Sequence, residues 1–371
     1  MRRHLFVAAL SFALCVIGAL HADPSWAHDH GRHLVRVYKA TLLQDPNTST
    51  PFVGRDLNNR GEATGWIHTD DGLYGPNNHA AVWRRGQVTL LPEANGGALS
   101  SGGAAINDHG DVAGDDQETT VGWGAFWHDG TIRRIGSIEE EFNSTPTAIN
   151  NRAQVTVIEF LNRAFVWNST GGFGFDEELA PAPGGDNPIP EDLNDAGHVA
   201  GWDNIGFFTP HPIHRAALWR EGTVELLGLL PGMTDSQAKG LNELDRVVGV
   251  SSNGDTGLQR AFLWRYGQLR ALPFVHRAAG ESSVALAINN WGQIVGSETA
   301  LNAPSRAVLW ERGRAFDLNA LVRSADQLKP HVTLRSARRI NQWGQILVSA
   351  QDDRLGDAEL SYLLTPVLEW R

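Results

Sequence analysis

Apolar residues fall along this chain in short alternating runs broken by turn residues, and one cadence keeps returning. A small residue, then Ile or Leu, then Asn leads through a turn into a β-rich run. The Asn residues stand at 58, 107, 150, 194, 242, 289 and 341, between 43 and 52 residues apart. In the second copy Ala104-Ala105-Ile106-Asn107 enters Asp108-His109-Gly110 and then Asp111-Val112-Ala113-Gly114. Asn at the first position of a turn caps its backbone and Gly at the fourth accepts positive φ, so each copy predicts a tight hairpin. Ala153 and Asp245 replace that Gly in the third and fifth copies, and Ala is the poorer fit to the conformation.

Further along each unit comes a second phrase, centred on Trp83, Trp127, Trp167, Trp219, Trp264 or Trp310 and mostly followed by Gly three residues on. It predicts another tight hairpin, whose outgoing strand ends in pairs such as Leu90-Leu91 and Leu226-Leu227. Four short strands per unit make one antiparallel sheet. One such sheet cannot bury both faces, so units of this period must stack. Around a ring they form an all-β β-propeller of seven four-stranded blades, with the recurring Trp residues in the core between blades. The seventh unit has a third strand near Leu360–Leu364, places Tyr362 where Trp is expected, and is followed only by a tail, Pro366–Arg371. The strand-like run Leu34-Val35-Arg36-Val37-Tyr38 precedes the first copy and is expected to complete the last blade, closing the ring.

The first residues change the picture of location. Arg2 and Arg3, the apolar run Leu5–Leu20 and the small-residue site Ser25-Trp26-Ala27 read as a signal peptide over 1–27, leaving one propeller domain over 28–371. The only cysteine, Cys15, lies inside that leader, so the exported chain must be held by core burial alone. Cleavage moves the formal charge from −11 to −12. That acidity argues against nucleic acid and anionic membrane surfaces as partners.

The phrases Ala287-Ile288-Asn289-Asn290-Trp291-Gly292-Gln293-Ile294-Val295-Gly296 and Arg260-Ala261-Phe262-Leu263-Trp264 resemble the HAF-family extracellular repeat proteins, over nearly the whole mature chain. The resemblance implies an exported bacterial repeat protein, periplasmic or extracellular. It brings no catalytic residues with it.

Candidate chemistry lies where repeats differ. Both short turns must share one side of the ring, so the variable connections emerge on the other, the usual binding side of a repeat array. Just before each Asn, on the strand nearest the channel, most residues are small, yet Arg55, Asp56, Glu191, Asp192, Lys239, Arg338 and Arg339 are charged. Arg55, Glu191, Lys239, Arg338 and Arg339 are the candidate ligand-binding set: a funnel for a polar or anionic ligand, with arginines as carboxylate or phosphate forks. The plainer alternative is that these charges pair with one another in a water-filled channel. Trp66, Trp123, Trp202, Trp291 and Trp343 lie outside the core phase, free either to stack on sugar rings or to pack against a partner.

Cleavage after Ala27 would expose His28-Asp29-His30, whose terminal amine, amides and third-position His suit Cu(II) or Ni(II). Asp115-Asp116 and Glu139-Glu140-Glu141 read as solvated acidic loops and as the places where Ca²⁺ would bind. The sequence contains no Gly-x-Ser-x-Gly elbow, no phosphate-binding loop and no cysteine outside the leader. The expectation is therefore a monomeric, non-enzymatic exported propeller that binds a protein or glycan through its variable face. The alternative is a propeller enzyme acting on acidic polysaccharide or a phosphate ester, with a metal in the central funnel.

Overall fold

In the computed structural model the described residues are 34–69, 77–94, 100–117, 122–135, 144–159, 163–170, 177–206, 213–276, 280–301, 303–356 and 359–370. They form seven four-stranded antiparallel sheets arranged as a ring, a seven-bladed β-propeller. The signal-peptide reading, His28 and His30, and Glu139–Glu141 lie outside the described residues.

Strand β1 (Leu34–Leu42) comes first. Blade 1 holds β2 (Phe52–Leu57), β3 (Ala63–Thr69), β4 (Asn77–Arg84) and β5 (Gln87–Leu90); blade 2 holds β6 (Ser100–Ile106), β7 (Val112–Gln117), β8 (Gly122–His128) and β9 (Thr131–Ile135). Blade 3 holds β10 (Ser144–Ile149), β11 (Gln154–Glu159), β12 (Arg163–Asn168) and β13 (Glu177–Glu178). Blade 4 is β14 (Asn187–Leu193), β15 (Val199–Ile205), β16 (Ile213–Arg220) and β17 (Thr223–Leu226). Blade 5 is β18 (Asp235–Leu241), β19 (Val247–Ser252), β20 (Gln259–Arg265) and β21 (Gln268–Ala271). Blade 6 is β22 (Ser282–Ile288), β23 (Ile294–Thr299), β24 (Arg306–Glu311) and β25 (Arg314–Asp317), followed by one helical turn, α1 (Leu318–Leu321). Blade 7 is β26 (Val332–Ile340), β27 (Ile346–Asp352), β28 (Leu360–Trp370) and β1, in that order outward.

The amino-terminal strand thus completes the last blade, pairing from Leu34 opposite Trp370 to Leu42 opposite Tyr362. Two details of the expectation need correction. Pro366–Trp370 is no tail but the continuation of β28, which outruns β27 and pairs there only with β1. Pro366, lacking an N–H, therefore costs no bond to β27. Tyr362 is also two residues out of phase: Leu364 faces Ile346 as Trp310 faces Ile294. Tyr362 instead packs in the blade interior and donates its hydroxyl to Asp352 Oδ2.

The six phrase tryptophans are all buried. Trp127, Trp219 and Trp310 also donate their indole N–H to the carbonyls of Pro92, Ala180 and Pro273 of the preceding blade, each at 2.7 Å. An apolar ring with one satisfied polar edge is what a blade interface requires.

Each innermost strand carries a β-bulge at one equivalent place, where the extra residue is Arg55, Ala104, Thr147, Glu191, Lys239, Leu286 or Arg338. The bulge presses a carbonyl onto the neighbouring strand. A Cβ on Gly65, Gly114, Gly201, Gly249 or Gly296 would stand 1.9 to 2.1 Å from the oxygen of Val53, Gly102, Ile189, Gln237 or Val284. In these five blades that contact explains the second Gly of the repeat phrase, since a side chain there would meet the carbonyl. In blades 3 and 7 the position holds Val157 and Val348, and β26 carries a second bulge.

Two closed belts tie the turns of one rim together. Asn58 Nδ2 donates to the carbonyl of Asn107, and the relation repeats through Asn150, Asn194, Asn242, Asn289 and Asn341 back to Asn58, at 2.9 to 3.3 Å. Each Asn Oδ1 also accepts two backbone N–H groups within its own turn, as from Arg60 and Glu62 at Asn58. In the second belt the residue after each Asn accepts the backbone N–H of its counterpart in the preceding blade. Asn59, Asp108, Asn151, Asp195, Glu243, Asn290 and Gln342 complete that circuit at 2.7 to 3.1 Å. Ala153 and Asp245 keep the turn geometry with φ of 55° and 53°.

Candidate functional site

The extra residue of each bulge is exposed or half-buried, and each lies on the strand at the inner end of its blade. Four of the five candidate ligand-binding residues are bulge residues and Arg339 directly follows one, and the structure separates the five into three groups.

The first braces the wall. Arg339 Nε donates to Asp56 Oδ1 at 2.9 Å, joining blades 7 and 1. Asp56 Oδ2 accepts the N–H of Ile106 in blade 2 at 2.8 Å, and Asp192 Oδ2 accepts that of Leu241 in blade 5 at 2.7 Å. Burial pushes the Asp192 carboxyl up to about 6, opposed by Arg339. Burial acts on Arg339 in the opposite sense to Asp56 and Asp192, and the carboxylates win, holding it above its ordinary range.

The second group lies on blades 1, 2 and 7. The Arg55 guanidinium sits 4.5 Å from the ring centre of Trp66. Burial and then the like charge of Arg338 hold Arg55 below the usual arginine range, Glu359 and Asp115 act in the other direction, and Arg339 adds the least. Arg338 pairs with Glu359. The cluster brings two arginines and a tryptophan face to the rim of the long connections, and Arg134 stacks similarly at 4.7 Å on Trp123.

The third lies between blades 4 and 5. Glu191 Oε1 accepts from Lys239 Nζ at 2.5 Å and from Trp202 Nε1 at 3.1 Å. Lys239 stands 5.7 Å from the Trp202 ring centre, and His214 meets the same ring edge-on at 4.7 Å. Burial lowers the pKa of His214, favouring neutral imidazole, and its Nδ1 lies 3.2 Å from Gln237 Nε2. The out-of-phase tryptophans at 66 and 202 thus became cation partners on the wall, a role that the charged residue one bulge away signals in the sequence.

Asp115-Asp116 is not a solvated loop. Both residues lie in β7, and buried Asp116 accepts the N–H of Ala94, clipping the link between blades 1 and 2 to the sheet. Pairing with β6 draws this stretch into the ladder. Asp203 does the same for Ala182 and Asn187, and Glu298 for Val275. Among the described residues no three His, Cys, Asp or Glu side chains converge as a metal-ligand set. No described helix is long and apolar enough to cross a membrane.

No family model matches the chain, and no curated protein matches it. Solved structures do. Virginiamycin B lyase from Staphylococcus aureus is similar with 13% identity and a TM-score of 0.51, covering 89% of this chain and 100% of that one. The β-propeller domain of the Trilobed protease from Pyrococcus furiosus, which has an open velcro topology, gives 7% identity and a TM-score of 0.57 over 86% of this chain and 97% of its own. YCF48 from Cyanidioschyzon merolae gives 8% and 0.52 over 88% and 99%. At such identities the likeness is one of fold.

Proposed function

We propose that this chain is an exported, monomeric, non-enzymatic propeller of the HAF-repeat kind, which binds an acidic protein or glycan at the loop-bearing mouth of its channel. One observation carries the reading: the Arg55 guanidinium is stacked on Trp66 with the like charge of Arg338 beside it. An incoming carboxylate or phosphate relieves that repulsion, accepts a planar guanidinium fork, and meets an apolar ring face alongside. Export rests on the leader pattern over 1–27.

The test is a thermal-shift panel of uronate polymers and phosphopeptides. A positive shift that disappears in Arg55→Ala/Arg338→Ala, with the unliganded melting point retained, supports the reading. Shifts equal in variant and parent leave the funnel charges as structural pairs and defeat it.

A second reading has its own support in the third group. His214, favoured as neutral imidazole beside the Glu191–Lys239 pair, has the protonation state a general base needs. It fits an enzyme acting on acidic polysaccharide or phosphate esters. Turnover of such substrates, with or without chelator, that is lost in His214→Ala would promote it over binding.

A further inference from the structure

The rim of the short turns is not chemically uniform. Its third turn position holds Arg60, His109, Arg152 and Ala196 in blades 1 to 4, but Leu244, Trp291 and Trp343 in blades 5 to 7. These last three are 52%, 59% and 65% exposed, at equivalent places on consecutive blades. The turns around the two tryptophans, Asn289-Asn290-Trp291-Gly292-Gln293 and Asn341-Gln342-Trp343-Gly344-Gln345, contain no charged residue, whereas each of the other five turns contains at least one. Trp291 is also held in place: its indole N–H donates to the Gln342 carbonyl at 3.0 Å, laying the ring across the junction of blades 6 and 7.

The amides beside these rings are oriented as well. Asn290 and Gln342 use their side-chain oxygens in the second belt, which fixes where their amide nitrogens sit. Neither nitrogen has a hydrogen-bond partner among the described residues. Two exposed indole faces one blade apart, that of Trp291 anchored by its N–H, are flanked by uncharged donors and match a repeating, uncharged, hydroxyl-rich ligand. Apolar sugar faces stack on indole, and hydroxyls take the amide hydrogens. A highly charged ligand finds no counter-charge within these two turns, although Arg246 borders Gly292.

We propose that Leu244, Trp291 and Trp343 form a docking face for a neutral polysaccharide, on the rim opposite the long connections. The site is independent of the funnel reading.

The full chain is tested for retention on insoluble cellulose, chitin, β-1,3-glucan and starch, with alginate as the charged control. Retention on at least one neutral polymer is expected. It should fall about tenfold in Trp291→Ala/Trp343→Ala, because both stacking faces are lost. Trp291→Phe/Trp343→Phe should keep most of it, which separates stacking from misfolding, and Arg55→Ala/Arg338→Ala should leave it intact. No retention on any neutral polymer, or retention unchanged in the alanine pair, overturns the proposal. So does a sedimentation or vesicle-binding experiment in which the same alanine pair abolishes self-association or binding to phosphatidylcholine while polysaccharide retention stays unchanged.

Discussion

On the rim that carries Asn58 and its six counterparts, each turn is bonded to the next through both a side-chain amide donor and a side-chain oxygen acceptor. The opposite rim is built from links of different lengths, each fastened in its own way: Asp116 to Ala94, Asp203 to Ala182 and Asn187, Ser251 to Leu230, Glu298 to Val275. One rim shares a single solution around the circle, so change there is felt by neighbours. The other solves each junction locally, so change there is contained. Repetition with shared bonds and variation with private bonds divide the ring into a frame and a working edge.

The sharpest way to break that division is Asn341→Ala. It strips two N–H groups of their acceptor within the turn and removes a donor at the joint between blades 7 and 1. A loss of about 2–4 kcal/mol in urea unfolding is expected, because buried groups lose their partners; a loss near zero would show that the belt is decorative.

Next comes pH. Burial pushes Glu298, fully buried on the loop-bearing side, up to about 7, against the opposing pull of the Val275 N–H and Arg306. Its folded-state pKa exceeds the unfolded value, so its stabilisation is fully present below about 4.5 and is lost as pH rises through about 7. The effect is at most about 3 kcal/mol. Melting curves from pH 5 to 8.5 should therefore fall with rising pH, and Glu298→Gln should flatten them.

A smaller effect, about 1 kcal/mol, is expected for Trp310→Phe, which keeps an apolar ring but deletes the bond to Pro273. Smallest is Arg55→Ala. Its unfolding free energy should stay within about 0.5 kcal/mol of the parent while ligand response is lost, as befits the working edge.

Much of the frame is legible in the order of residues. The Asn-x-x-Gly and Trp-x-x-Gly phrases give the hairpins, and the buried tryptophans give the blade interfaces. Partners in the next unit are harder to see. The belt acceptors vary among Asn, Asp, Glu and Gln, so they share chemistry rather than identity. The second Gly looks like a turn residue until the bulge places a carbonyl 1.9 Å from where its Cβ would be at Gly65. Tyr362 imitates the phrase as an aromatic at nearly the right spacing, and register alone separates it from Leu364. For the candidate site, the charges at 55, 191, 239, 338 and 339 were visible in the strand before each Asn. Their division into brace, arginine–tryptophan pair and lysine–glutamate–histidine group is not legible there, because it depends on which side chains of neighbouring blades and strands meet.

The joint between β1 and β28 brings Leu34 opposite Trp370. A ring fastened there has no privileged starting point. A covalent bridge of a few residues between those ends, with a new opening cut in the 253–258 connection, should yield the same circle from a permuted chain. The native order, by contrast, must gather strands more than three hundred residues apart before its edges are covered. Pairing across so long a span predicts slow closure, and until it is made the edges of β1 and β28 stay uncovered.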